Sequence, residues 1–488
     1  MIRALLFVSM TGLLLSGCSD APPAAYPRAP VIVISLDTVR RDYVEGFGAE
    51  AGKTPRLAQF GAQSIRFQSA IAPSHHTAPS HATMLSGFTP FVHGVALAEG
   101  ERVFRIPDSI PLLAEVLKEA GYRTGAFTDG IQILPERGFD RGFDVFDVDY
   151  SHLDPKLPAI ERFLDDCGDE PFLLFAHTYR AHQPYRAELD RLEEMLASYD
   201  GKFAATAREV AEFPFEKIRA HEEDALQRQA NLTIALSARG WKKRKDLTFL
   251  KSLYAAAVEA ADAECGRLLD MLRARGVLDR AIVVITSDHG EGFVEHRSCS
   301  AHMDLWDEIL RVPLIVRLPD GRSAGTDVEE QVGLERLMPT LLELVGAETS
   351  VAPEGASFAP SLVAGEPLRE EPVFSAMYVT GVAEPVMLTM RTRRFKRFET
   401  LVPLDDLPDR SRHLYPQSFF ALSDDPEEQE DLAAPGQEDM ARFARAVAKQ
   451  QRAWARMRER LGIEGGILID LDAEAIEAMK GVGYLGDK

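Results

Sequence analysis

The chain has 488 residues, 45% apolar and 27% charged, the proportions of an ordinary globular protein and not of a disordered one. Acidic residues outnumber basic ones 76 to 55, and the formal charge of −21 disfavours duplex nucleic acid and anionic headgroups as partners. At this length one large domain plus a smaller one is expected, and an anionic substrate needs a local positive feature, most simply a metal ion.

The first segment is not part of the fold. Met1-Ile2-Arg3 supplies a positive start, and Ala4 to Leu15 is apolar but too short to span a bilayer comfortably. It ends Leu15-Ser16-Gly17-Cys18, which resembles a bacterial lipoprotein signal (residues 1–18) with Cys18 as the lipidated residue. Ser19 after Cys18 favours the outer membrane, so the expected place is the cell envelope, lipid-anchored, periplasmic or surface-exposed. Residues 19–30, rich in Pro and Ala, are expected to be a tether. Three further cysteines, Cys167, Cys265 and Cys299, are irregularly spaced and imply neither a disulfide framework nor a cysteine zinc site.

Val31 to Leu36 is a nearly continuous β-branched run, the mark of a buried parallel strand, and it ends at Asp37. A carboxylate there either binds a metal or caps a helix after it. The next stretch, Ala72 to His81, writes Ala-Pro-Ser-His twice. Pro79 favours the first turn of a helix running to Gly87, with Thr77 at its mouth. A hydroxyl in that position either caps the helix or, beside a divalent ion, becomes a nucleophile.

Ser109 to Ala120 has helical periodicity, Thr124 to Thr128 and Phe172 to Ala176 are strands, and the latter delivers His177. Residues 186–246 are charged and helical in pattern, and are expected to form an insertion or lid. Phe249 to Arg275 is a long helix closed by Gly276. Ala281 to Thr286 is a strand leading into Asp288-His289-Gly290-Glu291, where adjacent Asp and His side chains past a strand end can face one ion. Pro313 to Val316 is a further strand. From about Pro367 short alternating segments (Pro372–Val379, Val386–Arg391, Phe395–Leu401) predict a small antiparallel sheet, and residues Gln437 to Leu461 return to helix.

Strands alternating with helices predict an α/β fold with a mostly parallel sheet covered on both faces, and ligands beyond the strands' carboxyl ends. Asp37, His177 and Asp288 all fall there. Nine of the twelve histidines lie in residues 75–93, 177–182 and 289–302, a clustering that points to metal or acid–base chemistry.

These motifs together resemble the sulfatase family of the alkaline phosphatase superfamily. The family signature, Cys or Ser, any residue, Pro, any residue, Arg, with a closing Leu-Thr-Gly, stands here as Thr77-Ala78-Pro79-Ser80-His81-Ala82-Thr83-Met84-Leu85-Ser86-Gly87. Thr54-Pro55-Arg56-Leu57, His93-Gly94-Val95, "SLDTVR" around Asp37, "AHTYRAHQPY" with His177 and His182, "TSDHGEGFVEH", "RVPLIV", "MPTLLELVG" and "FALSDDPEEQEDL" match in family order from Val31 to about Leu432. The resemblance implies a three-layer αβα alkaline-phosphatase-like catalytic domain over residues 31–365 and a smaller C-terminal antiparallel-sheet and helix subdomain over residues 366–488.

It further implies that Thr77 is the nucleophile, that Asp37, Thr77, Asp288 and His289 hold one divalent cation, and that His182 or His302 handles the proton. His81, Arg40, Arg180 and His177 are the implied substrate contacts. Sulfatases oxidise Cys or Ser to formylglycine. The methyl on threonine's Cβ bars that aldehyde, and His81 replaces the Arg of the modification motif, so no formylglycine is expected. Two-metal relatives use Asp-x-x-x-His where this chain has Thr178 before His182, which argues against a full second site. An imidazole ligand favours Zn²⁺ or Mn²⁺, with Ca²⁺ open. The implied function is metal-dependent hydrolysis of phosphate mono- or diesters, phosphonate or sulfate esters, on an anionic substrate. Three alternatives stand beside it: a sulfatase proper, a transferase of phospho-head groups in the envelope, and a non-catalytic binding lipoprotein. The sequence does not fix the oligomeric state.

Overall fold

The computed structural model describes residues 24–50, 53–130, 132–149, 151–213, 232, 244–296, 302–403, 417–434, 438–471 and 476. The signal segment with Cys18, residues 19–23 of the tether, Cys299, and residues 214–231 and 233–243 of the expected insertion lie outside the described residues.

In chain order the strands of the main sheet are β1 (Val31–Leu36), β2 (Ile65–Ile71), β4 (Arg123–Asp129), β5 (Val145–Asp149), β6 (Phe172–Thr178), β7 (Ile282–Thr286), β8 (Arg311–Val312), β9 (Leu314–Arg317) and β10 (Asp327–Gly333), with β3 (Arg102–Arg105) outside it. The sheet order is β10-β2-β9-β7-β1-β6-β4-β5, with β8 beside β2. Strand β1 sits near the centre, parallel to β6 and β7. Its residues point alternately to two cores: Val31 and Val33 to one, Ile32, Ile34 and Leu36 to the other. Burial on both faces explains the unbroken apolar run.

The first core is covered by the helices Thr77–Ser86, Pro90–His93, Leu113–Glu119, Leu337–Val345 and Glu438–Leu461, the second by Pro55–Gly61, Leu157–Cys167 and Arg244–Ala274. This is the three-layer α/β architecture. The small sheet, β11 (Val373–Met377), β12 (Met387–Arg391), β13 (Lys396–Thr400) and β14 (Gln417–Phe420), is antiparallel throughout. A last strand, β15 (Ile467–Asp470), returns to pair with β3.

The sheet is mostly parallel, as expected, with β9 antiparallel to both neighbours, β2 and β7. Two expectations are corrected in detail. The helix expected from Ser109 begins at Leu113, because Pro111 holds the residue before it out of helical geometry and Glu115 caps the Leu112 amide at 2.9 Å. The long helix starts at Arg244, ahead of Phe249. The described part of the insertion forms two helices, Leu189–Leu196 and Ala204–Ala211.

Candidate active site and metal centre

The strand registers set the site. Ser35 lies level with His177 on β6 and Thr286 on β7, so the residues just past these strands emerge at one end of the sheet. Asp37, Asp288 and His289 are fully buried there, each offering a ligand atom within 4.8 Å of the other two. Local backbone fixes them. Thr38 has a positive φ of 57°, an uncommon conformation for a β-branched residue, held by its N–H to Asp288 Oδ1 (3.2 Å) and by the Tyr254 hydroxyl on its carbonyl (2.7 Å). Gly290 lets the loop approach the 308 backbone: its N–H donates to the Ile309 carbonyl at 2.6 Å, and a Cβ there would lie 2.2 Å from the Glu308 carbonyl oxygen.

Thr77 begins the Thr77–Ser86 helix, and its hydroxyl donates to Asp37 Oδ2 at 3.2 Å. His177 Nε2 donates to the same oxygen at 3.2 Å. Both contacts leave Asp37 Oδ1 over. Asp37 Oδ1, Asp288 Oδ2 and His289 Nε2 are buried polar atoms without a hydrogen-bond partner among the described residues. Such orphans are destabilising unless something else binds them. His289 Nδ1 donates to the Gly290 carbonyl at 2.9 Å, which turns the Nε2 lone pair toward the two carboxylates. Two carboxylates, an imidazole and an adjacent hydroxyl converging on one buried point fit a divalent cation.

The electrostatics agree. Burial and then the like charge of Asp288 hold Asp37 well above the usual carboxylate range. Asp288 sits low: burial acts upward but is outweighed by His289, His81 and His177. Burial pushes His289 and His177 down to about 3 and His182 down to about 4, so these imidazoles are neutral lone-pair donors at ordinary pH.

The other implied residues divide. His302 and His182 are brought to the centre. The His302 ring centroid lies 4.6 Å from that of His289 and 5.4 Å from that of His182. His182 Nδ1 donates to the Gln183 carbonyl at 2.8 Å. His182 is half-buried while His289 is sealed.

The residues expected to contact substrate are held by groups of the protein itself. His81 lies beneath the helix, with Nδ1 donating to the Thr77 carbonyl and Nε2 accepting from the Ser35 hydroxyl, both at 2.9 Å, so it braces the backbone of Thr77. His177 serves Asp37 instead. Arg40 is neutralised by Asp42 (2.7 Å) and Glu295 (2.8 Å), and Arg180 by Glu188 (2.6 Å) and Glu264 (3.2 Å). Sequence reasoning missed two residues. His76, immediately before Thr77, packs its ring 5.6 Å from that of His302. Glu291 is fully buried, 3.6 Å from His302 Nδ1. The His75-His76 doublet and the carboxylate two residues past His289 were both visible signals.

Comparison with known proteins identifies the family. Residues 30–347 match a family model described as Sulfatase. A Delta 4,5-hexuronate-2-O-sulfatase of Bacteroides thetaiotaomicron is 24% identical over 383 residues, 72% of this chain and 74% of that protein. Among solved structures, a phosphonate monoester hydrolase of Agrobacterium radiobacter superposes with a TM-score of 0.65 at 20% identity, covering 88% of this chain and 96% of that one. A structure described as a complex with its substrate D-glucosamine-2-N,6-O-disulfate gives 0.65 at 19% identity, covering 89% and 98%.

Proposed function

The chain belongs to the sulfatase family and is an ester-hydrolysing enzyme, and from that premise we propose that it cleaves its anionic ester through the unmodified hydroxyl of Thr77, on phosphorus in preference to sulfur. The observation that carries this reading is the Thr77 hydroxyl on Asp37 Oδ2, at the head of a helix and beside the three converging ligand atoms. Threonine's β-carbon bears a methyl group and cannot become the aldehyde of formylglycine, so the attacking group is the alcohol itself. A phosphonate monoester hydrolase and a sulfated-sugar complex match with the same TM-score, 0.65, and the nucleophile's chemistry therefore decides between them.

Asp37, Asp288, His289 and Thr77 Oγ1 would hold the cation, Zn²⁺ or Mn²⁺ before Ca²⁺ given the imidazole. When bound, it lowers the pKa of the hydroxyl and offsets charge on the ester. The hydrogen bond to Asp37 aims the Thr77 oxygen, and the helix mouth favours the anion. Thr77 attacks in line, giving a covalent phospho-threonine. The neutral imidazole of His182 or His302 takes the Thr77 hydroxyl proton, directly or through water, and gives it to the leaving oxygen as the ester bond breaks; it then takes a proton from the water that releases the acid and returns it to Thr77. Lipidation at Cys18 places this chemistry in the envelope.

Thr77→Ala is expected to lose at least about a thousandfold in kcat on a phosphodiester or phosphonate, while Thr77→Ser stays within about tenfold. Activity of the alanine variant at the wild-type rate on every ester class would remove Thr77 from the mechanism. The sulfate-ester reading, favoured by the hexuronate sulfatase match, is read from the same assay: sulfate and phosphonate esters of one leaving group, with the phosphonate faster.

A further inference from the structure

The helix Glu438–Leu461 has two unlike faces. Phe443, Val447 and Trp454 are buried: Phe443 packs on Phe395 and Phe419, and Trp454 stacks on Phe91 at 4.0 Å. Arg442, Arg445, Lys449, Arg452, Arg456 and Arg460 are all exposed, and they recur every three or four residues on the opposite side. At about 1.5 Å per residue the six cations form a stripe roughly 27 Å long. Arg442 pairs with Asp439 at 3.2 Å and Arg460 touches the Met457 sulfur. Among the described residues no carboxylate pairs with Arg445, Lys449, Arg452 or Arg456. The helix's own acids, Glu438, Asp439 and Glu459, lie at its two ends.

A cation row of this length is out of character for a chain of charge −21. At physiological ionic strength the field is screened over about 8 Å, so a partner lying on this face meets the stripe and not the distant carboxylates. The amino-terminal segment indicates which partner. The Tyr26 N–H donates to the Leu344 carbonyl at 2.9 Å, and Tyr26 packs on the same core as Phe443 and Trp454. Tyr26, near the amino-terminal end of the described residues, thus lies against the helical layer that carries the stripe. Guanidinium groups suit phosphate oxygens.

We propose that the Arg442–Arg460 stripe seats on anionic phospholipid headgroups, fixing how the enzyme lies on the membrane to which its amino-terminus is tied. Bulk charge alone points the other way, and the concentration of cations on one helix face reverses it locally. The inference does not depend on the nucleophile.

The test is co-sedimentation of the full-length chain with vesicles of phosphatidylcholine alone and of phosphatidylcholine with phosphatidylglycerol. Any acyl anchor acts equally on both. Adding phosphatidylglycerol is expected to raise partitioning at least about tenfold, an effect abolished by high salt and by R445E/K449E/R452E/R456E. The same four positions changed to Gln give an intermediate loss and guard against misfolding of the reversed-charge variant. Hydrolysis of a small soluble ester stays unchanged in both. Equal partitioning on the two vesicle types, or an undiminished gain in the variants, overturns the proposal. So does wild-type protein that binds duplex DNA or a sulfated polysaccharide but not the phosphatidylglycerol vesicles.

Discussion

Asp288 ties two loops of the site together: its Oδ1 takes the Thr38 and His289 N–H groups at 3.2 and 2.9 Å, and its Oδ2 faces His289 Nε2 at 3.4 Å. Asp288→Asn keeps the shape and removes the charge. Metal content by elemental analysis is expected to fall at least about tenfold with the backbone unperturbed, and unchanged content would refute this ligand set. Asp37, Thr77, Asp288 and His289 were legible in the sequence because each sits at a strand or helix end that its own neighbours define. The fates of His81, Arg40 and Arg180 were not. They depend on Ser35, Glu295 and Glu264, which no local pattern ties to them.

Elements were legible where burial imposes a pattern and illegible where it does not. The two-sided run of β1 and the amphipathic Glu438–Leu461 helix announce themselves. The reversed direction of β9 does not, since its four residues look the same either way. The junction after the Thr77–Ser86 helix illustrates a second kind of control. Glu354 Oε2 accepts both the N–H and the hydroxyl of Thr89, at 2.6 and 2.8 Å. Burial raises its pKa from 4.5 to about 7, against the pull of those Thr89 donors. The folded state therefore holds this proton more tightly than the unfolded chain. The associated stability is present below 4.5 and is lost as pH climbs to about 7. Glu354→Gln cannot titrate, so the Tm difference between wild type and variant is expected to shift in favour of the variant across that window. A pH-independent difference would show that Glu354 does not titrate there.

At the scale of the molecule, the small sheet is joined to the catalytic layer by buried charge. Lys396, fully buried, reaches Asp307 at 2.9 Å and Glu428 at 2.8 Å, and Arg391 pairs with Asp307 at 2.7 Å. Removing one member leaves buried charge uncompensated. Lys396→Met is expected to lower stability by about 3 kcal/mol, read from the urea midpoint. A neutral result would mean that the site relaxes by protonating Glu428, which burial already lifts to about 7.

The same small sheet touches the loop that presents Thr77. The Ala376 N–H donates to the Pro73 carbonyl at 2.8 Å, the Ser375 hydroxyl to that of Ala72 at 2.7 Å, and the Tyr378 N–H to His75 Nε2 at 3.1 Å. Residues separated by roughly three hundred positions thus finish one another. A ribosome that has delivered Thr77 has yet to make the strand that steadies its loop. The loop that presents Thr77 thus reaches its final setting only once the chain has been made as far as Tyr378, about three-quarters of its length.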